Sequence, residues 1–143
     1  MPVSPVLVPE DALVRAVMVI RGRYDFAVDG GAISTIAITS GTPIPAGSTI
    51  VGGYVDVITP LAGATATIAC QVEAANDILT AVAVASWTAG RKNILPAPTT
   101  GALTAGTMVK TTADRNISIV IATAALTAGK FDVVLLVVPP AST

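Results

Sequence analysis

The sequence has 143 residues, 52% of them hydrophobic and only 12% charged, with a net charge of −1 at pH 7. A chain of this length builds one domain that needs neither a disulfide nor a metal ion to fold, and its scattered Arg and Lys residues exclude the clustered basic face that nucleic-acid binding requires. Because a typical domain carries about 25% charged residues, the surface must either be buried against partner proteins or be covered by Thr, Ser, Ala and Gly.

Residues 1–13 are predicted to form an extended arm. Three prolines are interleaved with valine and leucine in residues 1–10, and proline cannot join a central strand of a sheet because it lacks the backbone N–H. A secretory signal is not indicated, since the basic stretch is missing and prolines interrupt the apolar residues. The side chains of the arm that we expect to contact a partner are Val3, Val6, Leu7 and Val8.

Residues 14–138 are predicted to form a single β-rich domain, followed by a tail at residues 139–143. Val, Ile and Thr dominate the domain, and turn signals recur about every ten residues. The predicted strands cover residues 15–26, 33–39, 48–58, 64–72, 79–87, 106–112, 116–123 and 130–138. Strands without intervening helices favour an all-β sandwich or jelly roll. The end of the chain supplies a second candidate contact segment, consisting of Val137, Val138, Pro139 and Pro140.

The first predicted strand alternates in part between two sides. Val17 and Val19 fall on the same side as Arg21 and Arg23, whereas Ile20 falls on the other. Successive side chains of a strand point to opposite faces of a sheet, so the two sets are expected to have different surroundings.

Local signals predict the connections between strands. Asp29-Gly30-Gly31 supplies the positive φ angles of a tight turn, and Gly52-Gly53 suggests a β-bulge inside a strand. Residues 73–79 are the place where a short helical turn is predicted. Residues 89–101, which contain two prolines, are predicted to be a loop.

The apolar runs of the sequence are too short to cross a membrane as helices. Residues 117–126 are interrupted by a serine and a threonine, and residues 133–138 form a shorter run. A spanning helix needs about 20 consecutive apolar residues. We therefore expect no insertion into a membrane.

The sequence contains no histidine, which removes the commonest general base near neutral pH, the Ser-His and Cys-His nucleophile pairs and most transition-metal sites. The single cysteine, Cys70, lies in a strand-like run and is expected to be a small buried residue. The carboxylates available for a glycosidase-like pair are Asp25, Asp29, Asp56, Glu73, Asp77, Asp114 and Asp132. Most lie beside turns or on alternating strands, where a solvated carboxylate is expected. Phosphate-binding and calcium-loop motifs are also missing, so we predict no enzyme, no cofactor and no metal site.

Aromatic residues make up only 3% of the chain, which is too few to build a stacking platform for sugars or bases. They are expected to be anchors in the core or at an interface. A glycan-binding β-sandwich module stays open as an alternative, and it would require Trp87 or Tyr54 to lie flat on the surface.

Several phrases of the sequence resemble small virion proteins of tailed bacteriophages. They stand at residues 31–36 (Gly-Ala-Ile-Ser-Thr-Ile), 44–50 (Ile-Pro-Ala-Gly-Ser-Thr-Ile), 63–68 (Gly-Ala-Thr-Ala-Thr-Ile), 110–115 (Lys-Thr-Thr-Ala-Asp-Arg) and 126–133 (Leu-Thr-Ala-Gly-Lys-Phe-Asp-Val). The likeness extends over most of the chain after the arm. These segments are sequences typical of strands and turns. They indicate a phage structural protein, and they contain no catalytic or ligand-binding motif.

Among such proteins, the chain is most similar in size and β-rich character to capsid decoration, or cement, proteins. The resemblance implies a homotrimer that binds the major capsid protein on the outer capsid surface of the virion and bridges its subunits, after synthesis in the host cytoplasm. It implies no nucleic-acid partner. Another virion component, such as a tail or head fibre, would have the same composition and stays open as an alternative.

Overall fold

The computed structural model describes residues 17–95 and 108–140. In chain order, its elements are β1 (Met18–Asp25), α1 (Phe26–Asp29), β2 (Ser34–Ala37), β3 (Thr49–Ala62), β4 (Thr67–Gln71), β5 (Leu79–Ala83), a 3₁₀ turn (Val84–Ser86), β6 (Gly90–Leu95), β7 (Val109–Lys110), β8 (Ser118–Ala122) and β9 (Ala128–Val138). The predicted arm lies outside the described residues, as do residues 141–143 of the predicted tail. The bounds of the arm, domain and tail stay predictions.

The strands form two antiparallel sheets. The first sheet has the order β1-β9-β3-β6, with β7 also paired to β3, and the second has the order β2-β8-β4-β5. The strands pair from the outside of the chain inwards, as in one long hairpin: β1 with β9, β2 with β8, β3 with β6, and β4 with β5. This hairpin folds over on itself, so that β9 also pairs with β3 and β8 also pairs with β4. This arrangement is a jelly roll. The prediction of an all-β sandwich of jelly-roll type is confirmed.

One side of the sandwich is closed where the chain passes from the second sheet to the first. After β2 the backbone pairs with β1 through Gly22 and Thr39, and the N–H of Arg23 donates to the carbonyl of Ile38 at 3.0 Å. The approach is so close that a Cβ added to Gly22 would lie 2.9 Å from the Ile38 carbonyl oxygen. The opposite side carries the edge strands β5 and β6.

Strand β6 corrects the prediction of a loop at residues 89–101. Residues 90–95 pair with β3, and a register shift at Gly53 and Tyr54 confirms the bulge predicted nearby. The sequence of β6 begins Gly-Arg-Lys-Asn, a polar composition that resembles a loop. Such residues suit an edge strand, because charged side chains discourage pairing with other chains.

The helical turn predicted at residues 73–79 is wrong, since the structure has a non-helical turn there. The Asp77 carboxylate accepts hydrogen bonds from the backbone N–H groups of Val72, Glu73 and Ala74 at 2.8–2.9 Å. An aspartate that binds nearby N–H groups in this way offers the backbone an alternative to a helix. The two short helical segments, α1 and the 3₁₀ turn, lie elsewhere.

The tight turn after α1 requires glycine at two positions for two different reasons. Gly30 adopts a φ of 76°, which favours a residue without a side chain, as predicted. Gly31 does not have a positive φ; instead, a Cβ there would lie 2.1 Å from the Leu126 carbonyl oxygen. The Leu126 N–H donates to the Gly31 carbonyl at 2.7 Å, and this bond ties the turn to the segment before β9.

The core lies between the inner faces of the two sheets and is organised around three aromatic rings. Phe131 stands between Tyr24 and Trp87, with ring centroids 5.3 and 4.7 Å away, and all three side chains are buried. Cys70 is also fully buried in the core, as predicted, and burial raises the pKa of its thiol to about 12. Isoleucines from β4 and β8 complete the apolar interior.

A polar clamp joins the turn after β4 to the segment before β8. The Arg115 guanidinium donates two hydrogen bonds to the Glu73 carboxylate at 2.8 and 3.2 Å, and the Thr112 hydroxyl also donates to it. These hydrogen bonds, first that from Arg115, lower the pKa of Glu73 to about 2. The clamp therefore requires an ionised Glu73.

Replacing Phe131 with alanine should test the importance of the aromatic cluster. The ring is fully buried, so its loss should lower the free energy of unfolding by about 3–5 kcal/mol. Urea unfolding of both proteins measures the difference. The matched control is Val28→Ala, which removes a side chain that is 79% exposed and should change the free energy by less than about 0.5 kcal/mol. A loss below about 1 kcal/mol for Phe131→Ala would contradict this role.

The clamp predicts a defined dependence of stability on pH. Because folding lowers the pKa of Glu73 from 4.5 to about 2, the clamp stabilises the protein fully above about pH 4.5 and loses its effect as the pH falls towards 2. Glu73→Gln should therefore be less stable than the wild type at pH 7, and the difference should shrink towards pH 2. Urea midpoints at several pH values measure it. A stability difference between wild type and Glu73→Gln that is the same at every pH would contradict the prediction. For Arg115→Gln, too, the difference from the wild type should shrink towards pH 2.

Candidate interaction surface

The outer face of the second sheet carries no charged side chain. The strands β2, β4, β5 and β8 contain no Asp, Glu, Lys or Arg. We name this surface the uncharged face; its outward side chains are Thr35, Ala37, Thr67, Ala69, Gln71, Ala81, Ala83, Ser118, Val120 and Ala122. Almost all of them are small, and Ala69 is only 2% exposed, so the face offers few protruding groups.

Strand alternation explains why this face is uncharged. In β8, Ile119 and Ile121 point into the core and are fully buried, which leaves Val120 and its small neighbours pointing outwards. Cross-strand rows then place Thr35 beside Val120, and Val120 beside Ala69. A partner that covers this face would remove no ionised group from water. Binding therefore avoids the free-energy penalty of desolvating charges.

The outer face of the first sheet is charged at one end. There the row across β1, β9, β3 and β6 consists of Arg23, Asp132, Asp56 and Arg91. Arg23 donates two hydrogen bonds to Asp132 at 2.6 and 2.8 Å, and Arg91 lies 3.5 Å from Asp56. We name this row the charge ladder. Each of its two adjacent carboxylates has its own arginine, which offsets their mutual repulsion.

The charge ladder holds its buried carboxylate in the ionised form. Asp132 is 5% exposed, and the hydrogen bonds from Arg23 lower its pKa while they raise the pKa of the arginine. A general acid needs the opposite shift, a carboxyl pKa raised towards neutral pH. The geometry at Asp132 therefore favours an ion-pair role over proton transfer.

The other end of the same outer face carries exposed apolar side chains. Val19 of β1 pairs directly with Leu136 of β9, and Val17 precedes β1 on the same side. Their exposed fractions are 57% for Val19, 37% for Leu136 and 51% for Val17. We name these three residues the apolar strip. Gly52 lies opposite Leu136 on β3 and adds no side chain to cover the strip.

The contact residues predicted from the sequence fall in different places. Val3, Val6, Leu7 and Val8 lie outside the described residues and stay predictions. Val137 is fully buried in the core between Met18 and Ile50, so its side chain does not face a partner. Val138 and Pro139 are half-buried, and Pro140 is exposed; these three also stay predictions.

The apolar strip and the uncharged face were not predicted from the sequence. A signal for the apolar strip exists, because Val17 and Val19 alternate with the core residues and share a side with Arg21 and Arg23, as predicted. Two arginines on one side identify that side as the outer one. The uncharged face carries no such signal, since its members come from four separate strands that only the pairing brings together.

An apolar cavity of about 170 Å³ lies between the edge strands β5 and β6, on the open side of the sandwich. Its lining includes Val55, Leu79, Val82 and Ile94, together with part of Trp87. Trp87 is only 3% exposed, so its ring does not lie flat on the surface as a sugar platform requires. Tyr54 is half-buried beneath the Arg91 guanidinium, 5.4 Å from the ring centroid.

Within residues 17–95 and 108–140, no three His, Cys, Asp or Glu side chains form a group that could hold a metal ion. No helix in this part of the chain is long and apolar enough to cross a membrane.

Comparison with known proteins gives a likeness in structure. No protein-family model matches the chain, and no curated protein matches its sequence significantly. A chain in the acidic stable capsid structure of Helicobacter pylori bacteriophage KHP30 superposes with a TM-score of 0.59 at 12% identity, over 87% of this chain and 89% of that one. Chains in the cyanophage Pam1 capsid and the capsid of Ralstonia phage GP4 each give a TM-score of 0.57, at 23% and 17% identity. These matches cover 87% and 88% of this chain, and 85% and 86% of the respective capsid chains. The jelly roll described above is therefore a fold that also occurs in the capsids of three phages.

Proposed function

We propose that this protein is a structural component of a bacteriophage virion that decorates the outer capsid surface and stabilises the head by bridging major capsid protein subunits. The observation that carries the proposal is the fold likeness to chains in three phage capsids, which extends over almost the whole of each chain. The occurrence of this fold in three phage capsids favours a head component over a tail or head fibre. Assembly as a homotrimer and synthesis in the host cytoplasm are parts of the same proposal.

The uncharged face is the surface that we assign to the capsid. Its four strands carry no ionised group, so docking removes from water only apolar and hydroxyl side chains and the Gln71 amide. A modest contact of this kind gains strength when several are linked in one assembly, because each bound subunit raises the effective concentration of the next. Such a function requires no reaction, and we propose no enzymatic activity for this chain.

A charge placed on the uncharged face should weaken binding to capsids from which the protein has been stripped. Thr35 and Ala81 are exposed at opposite edges of this face, so Thr35→Lys and Ala81→Lys should leave the fold intact. An unpaired lysine that is buried in the interface should weaken binding about tenfold or more. Co-sedimentation with stripped capsids measures the effect.

The control for this experiment is Asn93→Lys, which adds the same charge at an exposed position on β6 of the first sheet. It should bind like the wild type. Equal binding by all variants would reject the uncharged face as the docking surface. Failure of the wild type to bind, together with only a few copies per particle by mass measurement, would reject the decoration function and favour a tail component.

Deletion of residues 2–10 tests the predicted role of the arm. The arm is predicted from the sequence to lie outside the β-rich domain, so we expect the free energy of unfolding to stay within about 0.5 kcal/mol of the wild-type value. Capsid binding should weaken, because the deletion removes the apolar side chains of Val3, Val6, Leu7 and Val8, which contact either the capsid or a neighbouring subunit of the linked assembly. Co-sedimentation and urea unfolding measure the two quantities separately. If the deletion variant binds capsids as well as the wild type does, the arm has no role in capsid binding.

A further inference from the structure

The apolar strip lies where the chain enters the first sheet. Val17 immediately precedes β1, and the strand pairing sets Val19 beside Leu136 near the end of β9. Three of the seven large apolar side chains that are exposed in the described part of the chain belong to this strip. A fourth, Met108, directly precedes β7, which pairs with β3 at the same end of the sheet. Exposed apolar side chains grouped in this way mark a contact site.

Positive charge flanks the apolar strip. Arg21 pairs with Val134, one outward position from Leu136, and Lys110 pairs with Thr49 beside Val138 on the other side. Among residues 17–95 and 108–140, neither cation forms an ion pair with a carboxylate. An occupant of the strip should therefore combine apolar side chains with negative charge.

The first 16 residues of the chain have this chemistry. Their apolar residues at positions 3, 6, 7 and 8 are followed at once by Pro9, Glu10 and Asp11. An apolar group next to two carboxylates matches an apolar strip between two cations. The segment also joins β1 at the strip itself, so its other end is held within reach of this surface in any assembly of several copies.

Chain length favours a neighbouring copy over the same copy. Eight residues lie between Val8 and Val17, and the nine Cα-to-Cα steps that join them span about 30 Å when the chain is extended. The row β1-β9-β3-β7 contains four strands, so its outer strands lie about 15 Å apart at about 4.8 Å per step. The extended segment is therefore about twice as long as the row is wide. Residues 10–16 contain neither glycine nor proline, the residues that most favour a sharp reversal back onto the same sheet.

We propose that residues 3–11 of one copy bind the apolar strip of a neighbouring copy, so that the subunits of an assembly exchange their N-terminal segments. The valine and leucine side chains contact Val17, Val19 and Leu136, and Glu10 and Asp11 face Arg21 and Lys110. This inference concerns self-assembly, and it does not depend on which capsid protein the assembly meets.

Site-directed cross-linking tests the exchange in the purified full-length protein. One preparation carries Val6→Cys and a second, with a different tag, carries Leu136→Cys; the two are mixed, allowed to exchange subunits and oxidised. The natural Cys70 is buried, with a pKa of about 12, so the wild type should give no cross-link. A disulfide-linked dimer that contains both tags is the expected result.

The matched control for position is Ile58→Cys in place of Leu136→Cys. Ile58 is 47% exposed on β3, away from the strip, and it should give at least about tenfold less dimer if the strip is specific. Equal yields at both positions would overturn the proposal. So would a single chain carrying both Val6→Cys and Leu136→Cys that cross-links only within itself.

A further variant separates this inference from the decoration function. Leu136→Lys places a charge in the strip at a position that is 37% exposed, and it should lower self-association by about tenfold or more. Sedimentation without capsids measures this. Unaltered self-association would contradict the proposed exchange of N-terminal segments. Loss of capsid binding with unaltered self-association would therefore count against the exchange and leave the decoration function untouched.

Discussion

Strand β9 is the element on which the rest of the structure depends. It comes last in the chain but lies between β1 and β3, so both of its edges are hydrogen-bonded. Its inner face consists of Phe131, Val133, Leu135 and Val137, and each of them is fully buried. Without this strand the first sheet loses its centre, and the aromatic cluster loses its middle ring. Because the first and last strands must meet, most contacts are far apart in sequence, which is typical of slowly folding β-proteins.

The sequence allowed the fold class to be predicted because alternation is a local property. All eight predicted strands overlap observed ones, and the last of them, residues 130–138, falls within β9. Strand β6 was missed because its Gly-Arg-Lys-Asn start has a loop composition, and only pairing with β3 makes it a strand. The turn at Asp77 was misjudged for a related reason, since its hydrogen bonds depend on a side chain that folds back onto the backbone.

The candidate surfaces were harder to predict than the fold. The low charge of the chain left two explanations open, burial against partners or cover by small residues. The structure shows that small residues do cover the second sheet, where Thr35, Val120 and Ala69 form one row across three strands. No local pattern reveals that row. By contrast, Val137 looked like a contact residue near the chain end, yet its place in the alternation of β9 puts it in the core.

The two outer faces differ in what they would lose on contact with a partner. Covering the charge ladder would remove water from Arg23, Asp132, Asp56 and Arg91, and desolvation of ion pairs often exceeds their mutual attraction. Covering the uncharged face removes water from no ionised group. In the decoration function that we propose, this asymmetry favours binding to the capsid in one orientation, with the second sheet inwards. The same proposal leaves the paired charges of the first sheet in water and the apolar strip at its end accessible to the N-terminal segment that we propose binds there from a neighbouring copy.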